Sequence, residues 1–269
     1  MLRAPMAQKP FHVSVSLPAP PEAGDARQWH RQRALIGGDL ELRRARGKAS
    51  GVHGRWVLDP VFRPEDEATL RAFCDAADPR RLVVEIGFQF GRFATPYCLL
   101  HPNVRFVGFE VRRKFCQDAS ARLERFGVTN AWLALVDARA MLPVVATPAS
   151  IDELFVFFPD PWWKRDQAKK RLLSAEFAAE AALLVKLGGR LLLKTDVAGY
   201  ADWAEGVLRA EPAFDVRRLA DPTAGLPPTL REGRCLRFGT PTFAIEARRR
   251  PCVDPLADDL PPTTPVPAA

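Results

Sequence analysis

From Leu82 onward the chain alternates short apolar runs with longer segments in which apolar residues recur every three or four positions. Leu82 to Ile86, Val104 to Glu110, Ala131 to Asp137, Leu154 to Phe158 and Arg190 to Thr195 read as strands. Lys114 to Phe126 has helical spacing and stops at Gly127, and Ala175 to Leu187 has it and stops at Gly188-Gly189, as expected where glycine follows the last periodic residue. Strand, helix and strand repeated in this way predict an α/β fold with a mostly parallel sheet covered by helices on both faces. Two late runs, Phe214 to Leu219 and Thr242 to Arg248, bring the expected sheet to seven strands.

In an open parallel sheet, ligands sit beyond the carboxyl ends of the strands. Those positions in this chain are acidic: Glu85, Glu110, Asp137, Asp160 and Asp196 follow or close the five runs in turn. Five carboxylates converging on one edge repel one another unless donors or cations offset them, which points to a positively charged ligand rather than idle surface. Gly87 and Gly91 bracket the turn after the first strand, where the backbone can approach a ligand closely. Glu110 lies 23 residues beyond Gly87, the spacing at which dinucleotide-type folds set an acid on ribose hydroxyls. No Gly-Lys-Ser or Gly-Lys-Thr follows the first strand, and the three-glycine spacing of NAD sites is absent. A ligand with ribose and adenine but no pyrophosphate fits what remains: S-adenosylmethionine, whose sulfonium and ammonium charges suit carboxylates.

The stretch Phe157-Phe158-Pro159-Asp160-Pro161-Trp162-Trp163-Lys164 continues into Arg165, Lys169, Lys170 and Arg171. Two prolines fix the backbone around Asp160, the paired Trp residues offer flat faces to a base, and the cations are placed to meet phosphate. Asp-Pro turns, core Trp residues and solvated basic runs are the bland equivalents of each feature. The whole chain nevertheless leans the same way, with a net charge of +7 and a pI near 9.5 that favour an acidic partner such as RNA.

At 269 residues and 47% hydrophobic content, the chain can bury a full core. Residues 1–50 form an Arg-rich, partly disordered extension, 51–250 the folded domain, and 251–269 a disordered tail with six prolines. No apolar run is long enough to span a bilayer, and no secretory leader is evident, so a cytoplasmic location is expected. The five cysteines are scattered without metal-ligand spacing, so neither disulfides nor a metal site is expected. Cys98 and Cys116 fall in helical patterns and read as small core residues.

Four stretches in this order resemble the bacterial tRNA (guanine-N7)-methyltransferase family, which consists of Rossmann-like class I methyltransferases. They are Glu85-Ile86-Gly87-Phe88-Gln89-Phe90-Gly91, Gly108-Phe109-Glu110-Val111, Phe157 to Lys164, and Thr195-Asp196. A fainter fifth is Thr229-Leu230-Arg231-Glu232. The resemblance implies methyl transfer from S-adenosylmethionine to N7 of a tRNA guanosine in the variable loop, by a monomer or homodimer. It implies that Glu85, Glu110, Asp137 and Asp160 line the donor pocket, beside Gly87 and Gly91; a carboxylate that accepts from guanine N1 and N2 would be the catalytic group, Asp160 or else Asp196. Lys164, Asp196, Thr229, Leu230, Arg231 and Glu232 would meet the guanosine. The chain departs from the family pattern at Gln89, which replaces the middle glycine of the first loop, and at Trp163 and Gln167, which stand at usual histidine positions. Arg231 departs from it too, in place of an aromatic. A methyltransferase for another substrate and a non-catalytic RNA-binding relative remain the alternatives.

Overall fold

The computed structural model describes residues 70–162, 167 and 170–251. The arm before residue 50, Lys164 with its neighbours Trp163 and Arg165, Lys169, and the tail after Pro251 therefore lie outside the described residues. Seven strands form a single sheet in the order β3-β2-β1-β4-β5-β7-β6. They are β1 (Leu82–Ile86), β2 (Arg105–Glu110), β3 (Ala131–Leu135), β4 (Ile151–Phe157), β5 (Val185–Thr195), β6 (Phe214–Arg218) and β7 (Phe243–Arg249). The first five are parallel, while β7 runs antiparallel between β5 and β6. This is the mostly parallel sheet that the alternating pattern predicts.

Consecutive strand residues are apolar on both sides because both faces are covered. Val84, Val107, Val156 and Leu193 pack on one face with helices α3 (Ala138–Val145), α4 (Ala175–Leu184) and α5 (Ala198–Arg209). Their neighbours Val83, Phe106, Phe155 and Leu192 pack on the other with α1 (Ala94–Leu100) and α2 (Arg113–Arg125). Phe93 meets Phe155 and Phe157 edge-on at 5.3 and 4.9 Å between ring centroids, so an aromatic cluster fills the space between α1 and β4. The four described cysteines are buried free thiols, and burial pushes Cys74 and Cys98 up to about 12, which fits inert core residues.

One expected boundary moves. The helix Ala175 to Leu187 ends at Leu184, and Val185 already pairs with Ile151 of β4. Gly188 (φ +76°) and Gly189 serve an irregular turn inside β5, after which pairing resumes at Arg190 opposite Glu153. A Cβ on Gly189 would sit 2.9 Å from the Asp152 carbonyl, and Lys186 binds the Asp152 carboxylate at 3.0 Å. The glycines are needed for this close turn, and the helix is closed earlier by the strand it feeds.

Arg105 at the start of β2 is fully buried. Its guanidinium donates to the carbonyls of Phe73, Asp75, Asp78 and Arg80 at 2.7–3.2 Å and ties the segment before β1 to the sheet. No shorter or uncharged side chain can serve all four acceptors. Arg105→Met is expected to lower unfolding stability by about 2–3 kcal/mol, because four carbonyls lose their charged partner; urea denaturation of the two proteins measures the difference.

Candidate active site

The order of strands reverses between β1 and β4, which are paired side by side although the chain visits β2 and β3 between them. Their connections leave in opposite directions, so a crevice opens at the carboxyl ends, where such folds bind ligands. The crevice has a volume of about 180 Å³, and Gly87, Gln89, Glu110, Asp137, Phe158 and Asp160 are among the residues that line it.

The turn after β1 is shaped by backbone geometry. Gly87 (φ +83°) donates its N–H to the Phe109 carbonyl at 2.7 Å, and Gly91 (φ +65°) lies where a Cβ would stand 3.1 Å from that of Ala119 on α2. Gly87 therefore borders the cleft as expected, whereas Gly91 serves the packing of the loop against α2. Gln89 occupies the left-handed region at φ +48°, a conformation that glycine adopts without strain. The substitution keeps the loop's course, since the Gln89 N–H still reaches Oε2 of Glu110 at 3.1 Å.

Glu110 is the best held of the acids. Oε1 accepts from the N–H groups of Val111 and Arg112 at 2.8 and 3.0 Å, and Oε2 accepts from Gln89. Burial still raises its carboxyl above the ordinary range, although these three donors pull in the other direction. Asp137 caps α3 and takes an ion pair from Arg139 at 2.6 Å, so its charge is compensated while it borders the cleft. Glu85 does not line this cleft. It sits in a smaller adjoining cavity beside Gly87, Gln89, Arg92 and Thr229, only 2% exposed, and its Oε2 has no hydrogen-bond partner. Burial first, and then the neighbouring Glu110 charge, push its carboxyl up to about 8. A buried carboxylate with an orphaned oxygen, next to a firmly oriented second one, suits a cationic ligand with hydroxyl donors; the residues present fit S-adenosylmethionine.

A second hollow of about 340 Å³ lies on the other side of Asp160, with Asp196, Leu230 and Arg231 in its wall. Asp160, Pro159, Phe158 and Gln89 face both hollows. Asp160 is exposed and makes no hydrogen bond or ion pair among the described residues, whereas Asp196 is bound by the Arg231 guanidinium, with Nε at 2.9 Å from Oδ2. Arg231, in place of an aromatic residue, thus neutralises the neighbouring acid.

The segment Thr229–Glu232 divides. Leu230 and Arg231 face both the second hollow and the small cavity of Glu85, Thr229 borders only the small cavity of these two, and Glu232 faces neither. Thr229 and Glu232 form the capping box of α6 (Leu230–Phe238): the Thr229 Oγ1 accepts from the Glu232 N–H at 3.0 Å and Oε2 of Glu232 accepts from the Thr229 N–H at 3.2 Å. The other Glu232 oxygen takes Lys194 Nζ at 2.9 Å, with both side chains buried. Lys194 also donates to the Thr223 carbonyl at 2.8 Å and lies 5.3 Å from the Phe157 ring centroid. Reading by motif passed over Lys194; the available signal was a single cation ending the run Leu191-Leu192-Leu193.

Of the expected phosphate contacts, Arg171 is committed internally. It donates to the carbonyls of Pro161 and Trp162 at 2.9 and 3.3 Å and lies 4.6 Å from the Trp203 ring. Lys170 stands 4.9 Å from the ring of Trp162, which itself borders the donor cleft at φ +42°. Among the described residues no group of acids, histidines and cysteines is arranged to hold a metal, and no helix is long and apolar enough to cross a membrane.

A family described as "Putative methyltransferase" matches residues 79–243, the whole span from before β1 to β7. A tRNA (guanine-N(7)-)-methyltransferase of Myxococcus xanthus is 39% identical over 116 residues, 43% of this chain and 56% of that protein, so the chain spans little more than half the length of that relative. The enzyme of the same name from Anaeromyxobacter dehalogenans is 35% identical over 61% of this chain and 84% of its own length. In overall fold the chain is similar to the 16S rRNA methyltransferase KamB, with a TM-score of 0.50 and 18% identity over 71% of this chain and 95% of that one. With Gly87, Glu110, Asp137 and Asp160 lining one crevice and these relatives matching across the domain, the chain belongs to the tRNA (guanine-N(7)-)-methyltransferase family.

Proposed function

We propose that the chain transfers a methyl group from S-adenosylmethionine to N7 of a guanosine in tRNA. The observation that carries this reading is the position of Asp160 on the wall shared by two hollows, one lined by acids suited to a cationic donor and one open to a base. The names of the relatives support the same acceptor and atom.

When bound, S-adenosylmethionine supplies an electrophilic methyl group on a sulfonium. Guanine N7 carries a lone pair and no proton, so the protein need not remove one there, and its task is alignment in a site closed to water. Glu110, fixed by three N–H groups, would receive the ribose hydroxyls. Glu85 would face the positive charge. Asp160 would accept hydrogen bonds from the guanine N1 and N2 groups, which selects guanine and adds electron density to the ring as N7 becomes positive. Asp196 is less free for that part because Arg231 holds it. Lys164, by resemblance, would bind the same nucleotide.

Two outcomes test the assignment. Asp160→Asn is expected to lower kcat for methylation of unfractionated tRNA by about 10²-fold or more while leaving thermal stability unchanged; scintillation counting with labelled donor, followed by nucleoside analysis, reads both amount and position. Retained turnover would remove Asp160 from the mechanism.

The second concerns acidity. The ligand-free Glu85 carboxyl is held at about 8, so below that pH a cationic donor has to displace its proton on binding. Donor affinity should therefore climb as pH rises towards 8 and level off above it, by up to about tenfold per pH unit. Glu85→Gln should remove this component, and calorimetry of both proteins from pH 6 to 8.5 isolates it as a difference. Parallel pH curves would show that Glu85 does not change its proton on donor binding.

A further inference from the structure

Most arginines on this domain are spoken for. Arg80 pairs with Asp78, Arg81 with Glu153, Arg218 with Glu205 and Arg248 with Glu246. Four others, Arg92, Arg122, Arg234 and Arg237, make no hydrogen bond or ion pair among the described residues. They line two hollows of about 720 and 360 Å³ that share Arg92, Leu230 and Arg234. Arg92 follows the glycine turn, Arg122 comes from α2, and Arg234 and Arg237 come from α6, so four guanidiniums from three parts of the chain converge on one groove. The acid that borders it, Asp118, is paired with Lys114 at 3.3 Å. Bringing like charges together without counter-charges costs stability, and a polyanion offsets that cost.

The groove is continuous with the active site. Arg234 also borders the hollow that holds Asp160 and Asp196, and Arg92 and Leu230 also border the small cavity of Glu85. At its far end Phe238 is 74% exposed, with the Arg237 guanidinium 5.5 Å from its ring centroid, an exposed aromatic beside a cation of the kind on which an unpaired base can stack. We infer that this groove is a second RNA-binding surface that grips the phosphates of the strand leading into or out of the target guanosine. It lies along α6 and is built from residues apart from the basic run 164–171. The inference rests on the tRNA reading above for its ligand. A protein partner with an acidic face is the outcome to be excluded.

The test uses the full chain and a transcribed tRNA. The variant Arg92→Gln/Arg122→Gln/Arg234→Gln/Arg237→Gln is expected to bind tRNA about tenfold or more weakly near physiological salt. The slope of log affinity against log salt should fall by about 3, as four phosphate contacts are lost. KM for tRNA should rise more than kcat falls, and a parallel variant with lysine at all four positions should keep the salt slope. An unchanged Kd and slope in a wild-type background that methylates tRNA would overturn the groove alone. If the wild type fails to methylate tRNA but the glutamine variant still loses its salt slope with RNA, the tRNA reading falls and the groove stands as an RNA-binding surface.

Discussion

Withdrawing carboxylates from water at one edge of the sheet is the constraint around which this domain is arranged. Three of the five acids at the strand ends are satisfied, each by a different device. Backbone N–H groups hold Glu110, a helix N-terminus and Arg139 hold Asp137, and Arg231 holds Asp196. Two are left over: Glu85, buried with an orphaned oxygen, and Asp160, exposed and without a hydrogen bond or ion pair among the described residues. An ion buried without a partner is costly, and burial answers that cost at Glu85 by pushing its carboxyl up to about 8, so that it keeps its proton at neutral pH.

The backbone carries a related tension. Gln89, Phe158 and Trp162 all adopt left-handed conformations, at φ +48°, +51° and +42°, and all three border the donor cleft. Side chains with a Cβ resist this region by roughly 1–2 kcal/mol each. The neighbouring hydrogen bonds over-determine these positions: the Phe158 N–H reaches the Lys194 carbonyl at 2.7 Å, and Arg171 grips the carbonyls on either side of the Pro161–Trp162 bond. Strain of this kind gathers where geometry has to be fixed ahead of binding.

Much of the architecture was legible in the chain itself. The five parallel strands were marked by apolar runs flanked by glycine and acid, and the sheet edge that bears the site followed from where those acids fell. The end of α4 was misjudged because Gly188-Gly189 resembles a helix stop, while its actual use, a close turn against the Asp152 carbonyl, depends on a strand distant in sequence. Thr229 and Glu232 illustrate a second limit. Resemblance implies that the whole tetrad meets the guanosine, yet Thr-x-x-Glu ahead of a helix is also a capping box, and both of these side chains form one at α6. Pairings such as Asp196 with Arg231 join residues 35 apart and have no local signature.

The buried contact between Lys194 and Glu232 joins the last residues of a central strand to the helix that borders both the base hollow and the arginine groove. Loss of either member strands a charge in a dry interior, whereas exchanging both for apolar side chains of similar bulk does not. Glu232 also closes the capping box of α6, so a paired exchange that spares the interior still loosens the start of the helix. Leu230 and Arg231 stand beside this pair without taking part in it, so a change at either alters the wall of the second hollow while the buried contact beneath stays whole.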